Sequence, residues 1–308
     1  MQNLKIMTKT IVPPIKSQGI KTKLVPWIND VIERSGIDKK ANWYEPFFGT
    51  GVVGFNSPLK GKFIVSDNNP HVIKFYKSIQ DGDITAKKMH SYLELSGKML
   101  AEADEDGYTF YREVKNRFNE KFDSYDFIFL SRAGFNGMMR FNKSGLWNIP
   151  FCKKPNRFAQ AYITKICNQI VSVSSVIKTK DWNFCVCDFE ETIDKAEEGD
   201  FIYCDPPYYG RYTDYYNGWA EEDEERLFNA LSRTKAKFIL STWHHNDYRN
   251  NEMIEKFWNK FNVVTKEHFY HSGGKLENRK AVVEALVFNF DLQEPKRQER
   301  KQIELELF

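Results

Sequence analysis

The stretch Asp200-Phe201-Ile202-Tyr203-Cys204-Asp205-Pro206-Pro207-Tyr208 fixes where one strand must stop. Four mostly apolar, β-prone residues run into an acid, two prolines and an aromatic. Neither proline can donate a ladder hydrogen bond, so the chain must leave the sheet at Asp205, at a strand's carboxyl end. In open α/β sheets that end is where ligands bind. The turn offers a carboxylate, a proline carbonyl and an aromatic face at one spot. An exocyclic amine on a planar base needs that set, two acceptors for its N–H groups and a surface to stack on. A strand that ends in a proline turn with an exposed Tyr accounts for the same residues, so the rest of the chain has to decide.

Other strands give that turn a sheet to sit in. Asn42-Trp43-Tyr44-Glu45 leads through Pro46-Phe47-Phe48 into Gly49-Thr50-Gly51-Val52-Val53-Gly54, a Gly-x-Gly-x-x-Gly turn expected to open a helix. Such glycines let backbone approach a ligand and helix pack on strand. Lys62 to Ser66 is a second strand that ends in Asp67, placed to accept bonds from ribose hydroxyls. Asn183 to Cys187 is a strand ending in Asp188-Phe189, and Lys237 to Ser241 is another. Helical patterns cover 157–177, 221–231 and 253–258, and Val263-Val264 and Ala285 to Phe288 close as an antiparallel pair. Four amphipathic stretches near 69–80, 86–103, 109–122 and 124–133 interrupt the alternation, broken once at Asp104-Glu105-Asp106-Gly107. The expected fold is α/β, a doubly wound and mostly parallel sheet with an inserted helical subdomain.

Charge separates along the chain. The net charge of +3 over 308 residues is unremarkable, yet residues 1–26 hold five lysines and residues 127–180 hold nine Lys or Arg, with no acid in either block. All 42 acids lie elsewhere, which is the pattern of a polyanion-binding face. No apolar run reaches the ~18 residues of a membrane span, and Met1-Gln2-Asn3-Leu4-Lys5 lacks a signal peptide's apolar core. Cys152, Cys167, Cys185, Cys187 and Cys204 are odd in number and sit mostly in apolar runs. Reduced core cysteines, a cytoplasmic location and no metal site are expected. Within the basic block, Met138 to Phe141 and Leu146 to Ile149 can pair across Asn142-Lys143-Ser144-Gly145 as a hairpin. Apolar and basic residues interleaved on a small exposed element suit a probe of a nucleic-acid groove.

Taken together, these residues resemble the Dam-type DNA adenine-N6 methyltransferases of the alpha group, over residues roughly 13–290. The resemblance rests on Lys16-x-x-Gly19-x-Lys21, Glu45-Pro46-Phe47-x-Gly49-x-Gly51, Asp67, Asp188-Phe189 and Asp205-Pro206-Pro207-Tyr208, in the family's order. Between them Arg132-x-Gly134-Phe135-Asn136-Gly137, Arg140-x-Asn142, Gly145 and Asn148-x-Pro150-Phe151 are closely similar to the family's DNA-reading hairpin. The resemblance implies a Rossmann-like methyltransferase domain at 1–68 and 178–292, a target-recognition subdomain at 69–177 and a flexible charged tail at 293–308. It implies S-adenosyl-L-methionine as cofactor, with Ser17, Gly19, Lys21 and Glu45 to Gly51 near its amino-acid end. Asp67 with Asn68 would hold its ribose, and Asp188 with Phe189 its adenine.

The same resemblance implies double-stranded DNA as partner and a flipped-out adenine as substrate. Asp205 and the Pro206 carbonyl would accept bonds from its N6 amine, Pro207 would stiffen the turn, and Tyr208 would stack on the base. No cysteine nucleophile is called for. Phe135 would fill the gap in the duplex, and Asn136 would touch backbone or base. Met138, Arg140, Pro150 and Lys153 would face the major groove. Lys16, Arg132, Asn142 and Lys143 complete the expected DNA contacts, with Arg211 on a Tyr-rich loop, Tyr209 to Trp219, that closes over the base.

Departures from the family pattern bear on the details. Ser17 and Gly19-Ile20 stand where the family has an aromatic and Gly-Gly, and Cys152 stands for a Gly after Pro-Phe. GATC is thus one candidate among short adenine-containing targets, for an orphan bacterial or phage enzyme or one paired with a restriction endonuclease. Amino-methylation of cytosine N4, RNA or a protein glutamine uses a similar turn, but with Ser or Asn where this chain has Asp205. A nicotinamide dehydrogenase explains Gly49 to Gly54 and Asp67 but not Asp205 to Tyr208. A non-enzymatic DNA-binding module explains only the basic block. Finally, Glu304-Leu305-Glu306-Leu307-Phe308 is similar to C-terminal peptides that dock on the bacterial sliding clamp, with Glu304 in place of Gln.

Overall fold

A computed structural model describes residues 9–17, 19–210, 218–269 and 281–294. Its seven strands are β1 (Trp43–Glu45), β2 (Phe63–Ser66), β3 (Trp182–Cys185), β4 (Phe201–Cys204), β5 (Lys237–His245), β6 (Asn262–Phe269) and β7 (Ala281–Phe288). They form one sheet in the order β3-β2-β1-β4-β5-β7-β6. The first five are parallel, and β7 runs antiparallel to both β5 and β6. Order reverses between β1 and β4, so their carboxyl ends, at Glu45 and Asp205, flank the crevice where doubly wound sheets take ligands.

Side chains alternate across this sheet. Trp43, Phe201 and Tyr203 face one side, where Trp43 stacks on both other rings at 5.9 Å. That side is covered by α1 (Val25–Arg34) and a helical layer from the β2–β3 connection. Tyr44, Ile202 and Cys204 face the other, against α7 (Phe189–Ile193) and α8 (Glu221–Arg233). Every residue of β4 is buried, as a central parallel strand between two helical layers requires.

The helical layer follows local signals closely. In α2 (Pro70–Gln80), Asn69 caps the His71 N–H and Pro70 takes the first turn, where its missing N–H costs nothing. Thr85 caps α3 (Ala86–Glu102). The acidic break ends at Gly107, with φ +89°, and α4 (Tyr108–Lys121) begins. Asp123 caps α5 (Ser124–Ala133), which is buried at almost every position. Its one carboxylate, Asp126, is paired with Arg117 Nε at 2.8 Å. The long α6 (Gln160–Thr179) packs on α3 and α2. No helix among the described residues is long and apolar enough to cross a membrane.

Several local expectations change. The glycine run does not open an α-helix. It closes in a single 3-10 turn, Gly54–Asn56, because Pro58 holds Ser57 extended (ψ 134°) and the Asn56 side chain binds Val52 O and Ile11 instead. β3 stops at Cys185, and Asp188 lies beyond it as the N-cap of α7, accepting from Glu190 N at 3.0 Å. Only Cys167 and Cys204 of the five cysteines are buried. Met253–Trp258 gives one π-turn, Ile254–Trp258. The hairpin forms without a strand ladder, with one bridge at Phe141–Trp147 and a turn in which Asn142 Oδ1 accepts from Ser144 and Leu146. Gln293, expected to begin a flexible tail, donates its N–H to Arg34 O of α1 at 2.8 Å and accepts from the Arg34 side-chain Nε at 3.1 Å. Residues 295–308, and with them the clamp-like Leu305–Phe308, lie outside the described residues.

Candidate active site

Asp205 is the first residue after β4, and the two prolines carry the chain away from the sheet. Its Oδ1 accepts from Lys21 Nζ at 2.8 Å. Lys21 stands on a 3-10 turn (Lys21–Lys23) that feeds α1, and only 4% of its side chain is exposed against 24% for Asp205. Lys21 was expected beside the cofactor's amino-acid end; its nearest charge is the carboxylate of the proline turn. Burial pushes the Asp205 carboxyl above its ordinary value; Lys21 opposes that rise and Glu284 adds to it. The Lys21 ammonium also lies 4.7 Å from the Tyr208 ring centroid.

The far end of the turn is fastened to the antiparallel strands. The Tyr208 hydroxyl donates to Glu284 Oε2 on β7, where Glu284 is wholly buried. Trp243 Nε1 donates to Tyr209 O at 3.2 Å and Arg249 to Gly210 O at 3.2 Å. The next residues, with Arg211, are outside the described ones.

Across the crevice, Gly49 and Gly51 take φ of +48° and +72°. A Cβ on Gly51 would meet Phe48 at 2.4 Å, and one on Gly54 would meet Glu45 Oε2 at 2.4 Å. Close packing therefore accounts for two of the three glycines. Glu45 lies beneath this loop, accepting from Trp43 Nε1 at 2.9 Å, and burial raises its carboxyl well above the usual range. Asp67 ties the loop down, with Oδ2 accepting from Gly49 N at 2.7 Å and Oδ1 from Asn69 N at 2.8 Å. Burial raises the Asp67 carboxyl, and these two N–H groups work against the rise. Each carboxylate oxygen has capacity for a second bond, and Asp67 lines the cleft.

The third wall is aromatic. Phe47 stacks on Phe189 at 5.2 Å, and Trp219 meets both rings at 5.6 and 5.7 Å. Glu224 fixes Trp219 through its indole N–H at 2.6 Å and holds Trp258 likewise at 2.8 Å. Arg226 sits 4.7 Å over Phe189 and binds Asp188 at 3.0 Å and Glu190 at 2.6 Å.

These walls enclose a cleft of about 220 Å³. Pro46, Phe47, Gly49, Asp67, Asn68, Asp188, Phe189, Asp205 and Pro207 of the expected residues line it, and Met139 from the hairpin joins them. Ser17, Gly19, Lys21, Glu45, Gly51, Pro206 and Tyr208 do not. Sequence reasoning missed Trp219, Arg226 and Glu284 as parts of the site. The signal for Glu284 was a single acid inside Val282-Val283-Glu284-Ala285-Leu286-Val287-Phe288.

Beside the cleft, Phe135 is 48% exposed at the tip of a turn in which Asn136 takes φ +52°. Asn142, Lys143, Pro150 and Lys153 are exposed, and Met138 is half-buried. Arg140 bonds Asn148 O across the hairpin at 3.1 Å. The Lys16 stem lies against Gly137, so closely that a Cβ there would stand 2.5 Å from Lys16 Cε. Arg132, expected at the DNA, is instead buried. It donates to Pro14 O at 2.7 Å and Gln169 Oε1 at 2.6 Å, tying the N-terminal arm to α6.

The family model for D12 class N6 adenine-specific DNA methyltransferases matches residues 17–272. The chain is 24% identical over 292 residues to the type II methyltransferase M1.LlaDCHI of Lactococcus lactis subsp. cremoris, covering 90% of this chain and 95% of that protein. It is 28% identical to the type II methyltransferase M.MjaIII of Methanocaldococcus jannaschii, over 90% of this chain and 99% of that one. To the DNA adenine methylase of Haemophilus influenzae it is 28% identical, over 63% and 68% respectively.

Proposed function

The chain belongs to the D12 class of N6 adenine-specific DNA methyltransferases, and from that premise we propose how its cleft performs site-specific transfer to adenine N6. The observation that carries the reading is one cleft holding Asp205, Asp67 and the Phe47–Phe189–Trp219 aromatic wall, with Met139 of the basic hairpin on its rim.

Those residues fit S-adenosyl-L-methionine, the cofactor the family implies. Phe47, Phe189, Asp188 and Trp219 would hold its adenine, Asp67 and Asn68 its ribose, and the Glu45–Gly51 turn its amino-acid end. When bound there it supplies a methyl group activated by a sulfonium.

An adenine inside a duplex cannot reach Asp205, so the base must be extruded, at a cost of roughly a few kcal/mol. Phe135 at the exposed turn is placed to fill the gap it leaves. Asp205 and the Pro206 carbonyl accept from the N6 hydrogens, drawing the nitrogen toward a tetrahedral geometry with its lone pair out of conjugation with the ring, and Tyr208 stacks on the base. Positioning and fixed charge do the catalysis. Burial favours the neutral acid at Asp205, and Lys21 opposes that rise, favouring the ionised form. The helical layer and hairpin, 69–177, serve as target-recognition subdomain to a methyltransferase domain at 1–68 and 178–292. DNA would run along the acid-free block, with Arg140, Met138, Pro150 and Lys153 on the major groove. The type II relatives support a restriction-modification setting in a bacterial cytoplasm.

The test is Asp205→Ala. It should abolish methylation of duplex DNA while cofactor and DNA still bind, read by titration calorimetry and gel shift. Near-normal methylation by that variant would remove Asp205 from the reaction.

A further inference from the structure

We propose that Glu284 is a positioning residue for methyl transfer, setting the pitch of the Tyr208 ring by accepting its hydroxyl hydrogen bond. The inference rests on the reading that Tyr208 stacks on the extruded adenine.

Glu284 is 0% exposed in the middle of β7, opposite Trp243 of β5 and Lys266 of β6. Its neighbours in the strand are apolar, and a strand needed only to complete the sheet would carry an apolar residue there too. A carboxylate taken out of water is costly unless it is bonded. The Tyr208 hydroxyl supplies such a bond, and it comes from the catalytic turn.

The turn explains why an anchor matters at that place. Pro206 and Pro207 fix their own φ angles, so the freedom left in the motif lies mainly in the two side-chain torsions of Tyr208. A bond at the hydroxyl, the ring atom farthest from the backbone, restrains both torsions with the longest lever available. The Lys21 ammonium near the ring face acts at the middle of the same lever. Stacking geometry is then set from β7, a strand that contributes no residue to the cleft lining and reaches the site through Tyr208.

The experiment uses a synthetic duplex built on the site mapped from methylated DNA of cells expressing the chain. Single-turnover transfer is measured on it, and 2-aminopurine fluorescence on the same duplex with that base at the target adenine. Glu284→Leu keeps volume but removes the acceptor. It should lower the single-turnover rate about 10²-fold, the scale of a small misplacement of reacting groups, with KM for DNA and cofactor little changed. The extruded 2-aminopurine should be brighter in this variant, because the ring quenches it less. Glu284→Gln, which keeps an acceptor oxygen, should recover most of the rate. Tyr208→Phe should lose a similar factor, and Tyr208→Phe/Glu284→Leu should be no worse than the worse single variant, since both remove one bond. A wild-type rate in Glu284→Leu, or losses that multiply in the double variant, would overturn the inference. Should Glu284→Leu not fold, a wild-type rate in Tyr208→Phe does so alone. Absence of adenine methylation by the wild-type chain would instead remove the underlying reading.

Discussion

Asp205 and Lys21 are 184 positions apart in sequence and 2.8 Å apart in space. Their pairing has a measurable acid–base consequence. Burial raises the folded Asp205 pKa above 3.8, and transfer needs the carboxylate. Activity therefore falls as pH drops through that raised value, so the acid limb should lie above the range of a free aspartate. Lys21→Met removes the opposing charge and should move the limb to still higher pH, with partial recovery in alkaline buffer. Single-turnover pH profiles of the two proteins check this; coincident limbs would show that the pair does not tune the site. Arg132 and Arg140 make a second contrast, eight positions apart with opposite fates. Arg132→Met strips donors from Pro14 O and Gln169 and should cost about 2–3 kcal/mol, read as a lower Tm with unchanged target choice. Arg140→Ala should leave Tm nearly unchanged and relax discrimination at one base pair by ~1–3 kcal/mol, read by methylation of single-mismatch duplexes.

At the scale of elements, local chemistry was legible and long-range pairing was not. The amphipathic stretches near 69–80, 86–103 and 124–133 are helices in the fold, where Asn69, Thr85 and Asp123 cap them. β2 and β4 end at Asp67 and at Asp205-Pro206, as their apolar runs indicate. The glycine loop was misread because the same spacing serves tight aromatic packing around Phe48 and Phe55, and Pro58 stops a helix only just downstream. Asp188 was placed on a strand although it caps α7, since a five-residue helix carries too little periodicity to announce itself. Glu284 and Arg226 act on partners 76 and 38 positions away, and no local pattern encodes such a pairing. The hairpin was expected from its turn residues, and on the proposed reading its exposed Lys143 lies where phosphates would pass. Replacing Lys143 by Gln should weaken DNA binding evenly across sequences and reduce the salt slope by about 1. An unchanged slope would place DNA elsewhere.

The molecule as a whole joins the acid-free hairpin, the proposed reading surface, to an aromatic-walled cleft through short links. Gly137 touches Lys16, five residues before Lys21, and Met139 lines the cleft itself. On the proposed reading the recognition hairpin thus meets the catalytic cleft directly, and the sheet beneath that cleft is completed late in the chain. β7 is the last of the seven strands to be made, yet it lies between β5 and β6, and it carries Glu284 to Tyr208. On the ribosome, Asp205, Asp67 and the glycine loop would all emerge well before the strand that supports Tyr208. A chain stopped at residue 280 should leave β5 and β6 unjoined, be cut readily by protease, and methylate no DNA. Biosynthesis would then carry its own timing, with the nascent chain inert until β7 threads between β5 and β6.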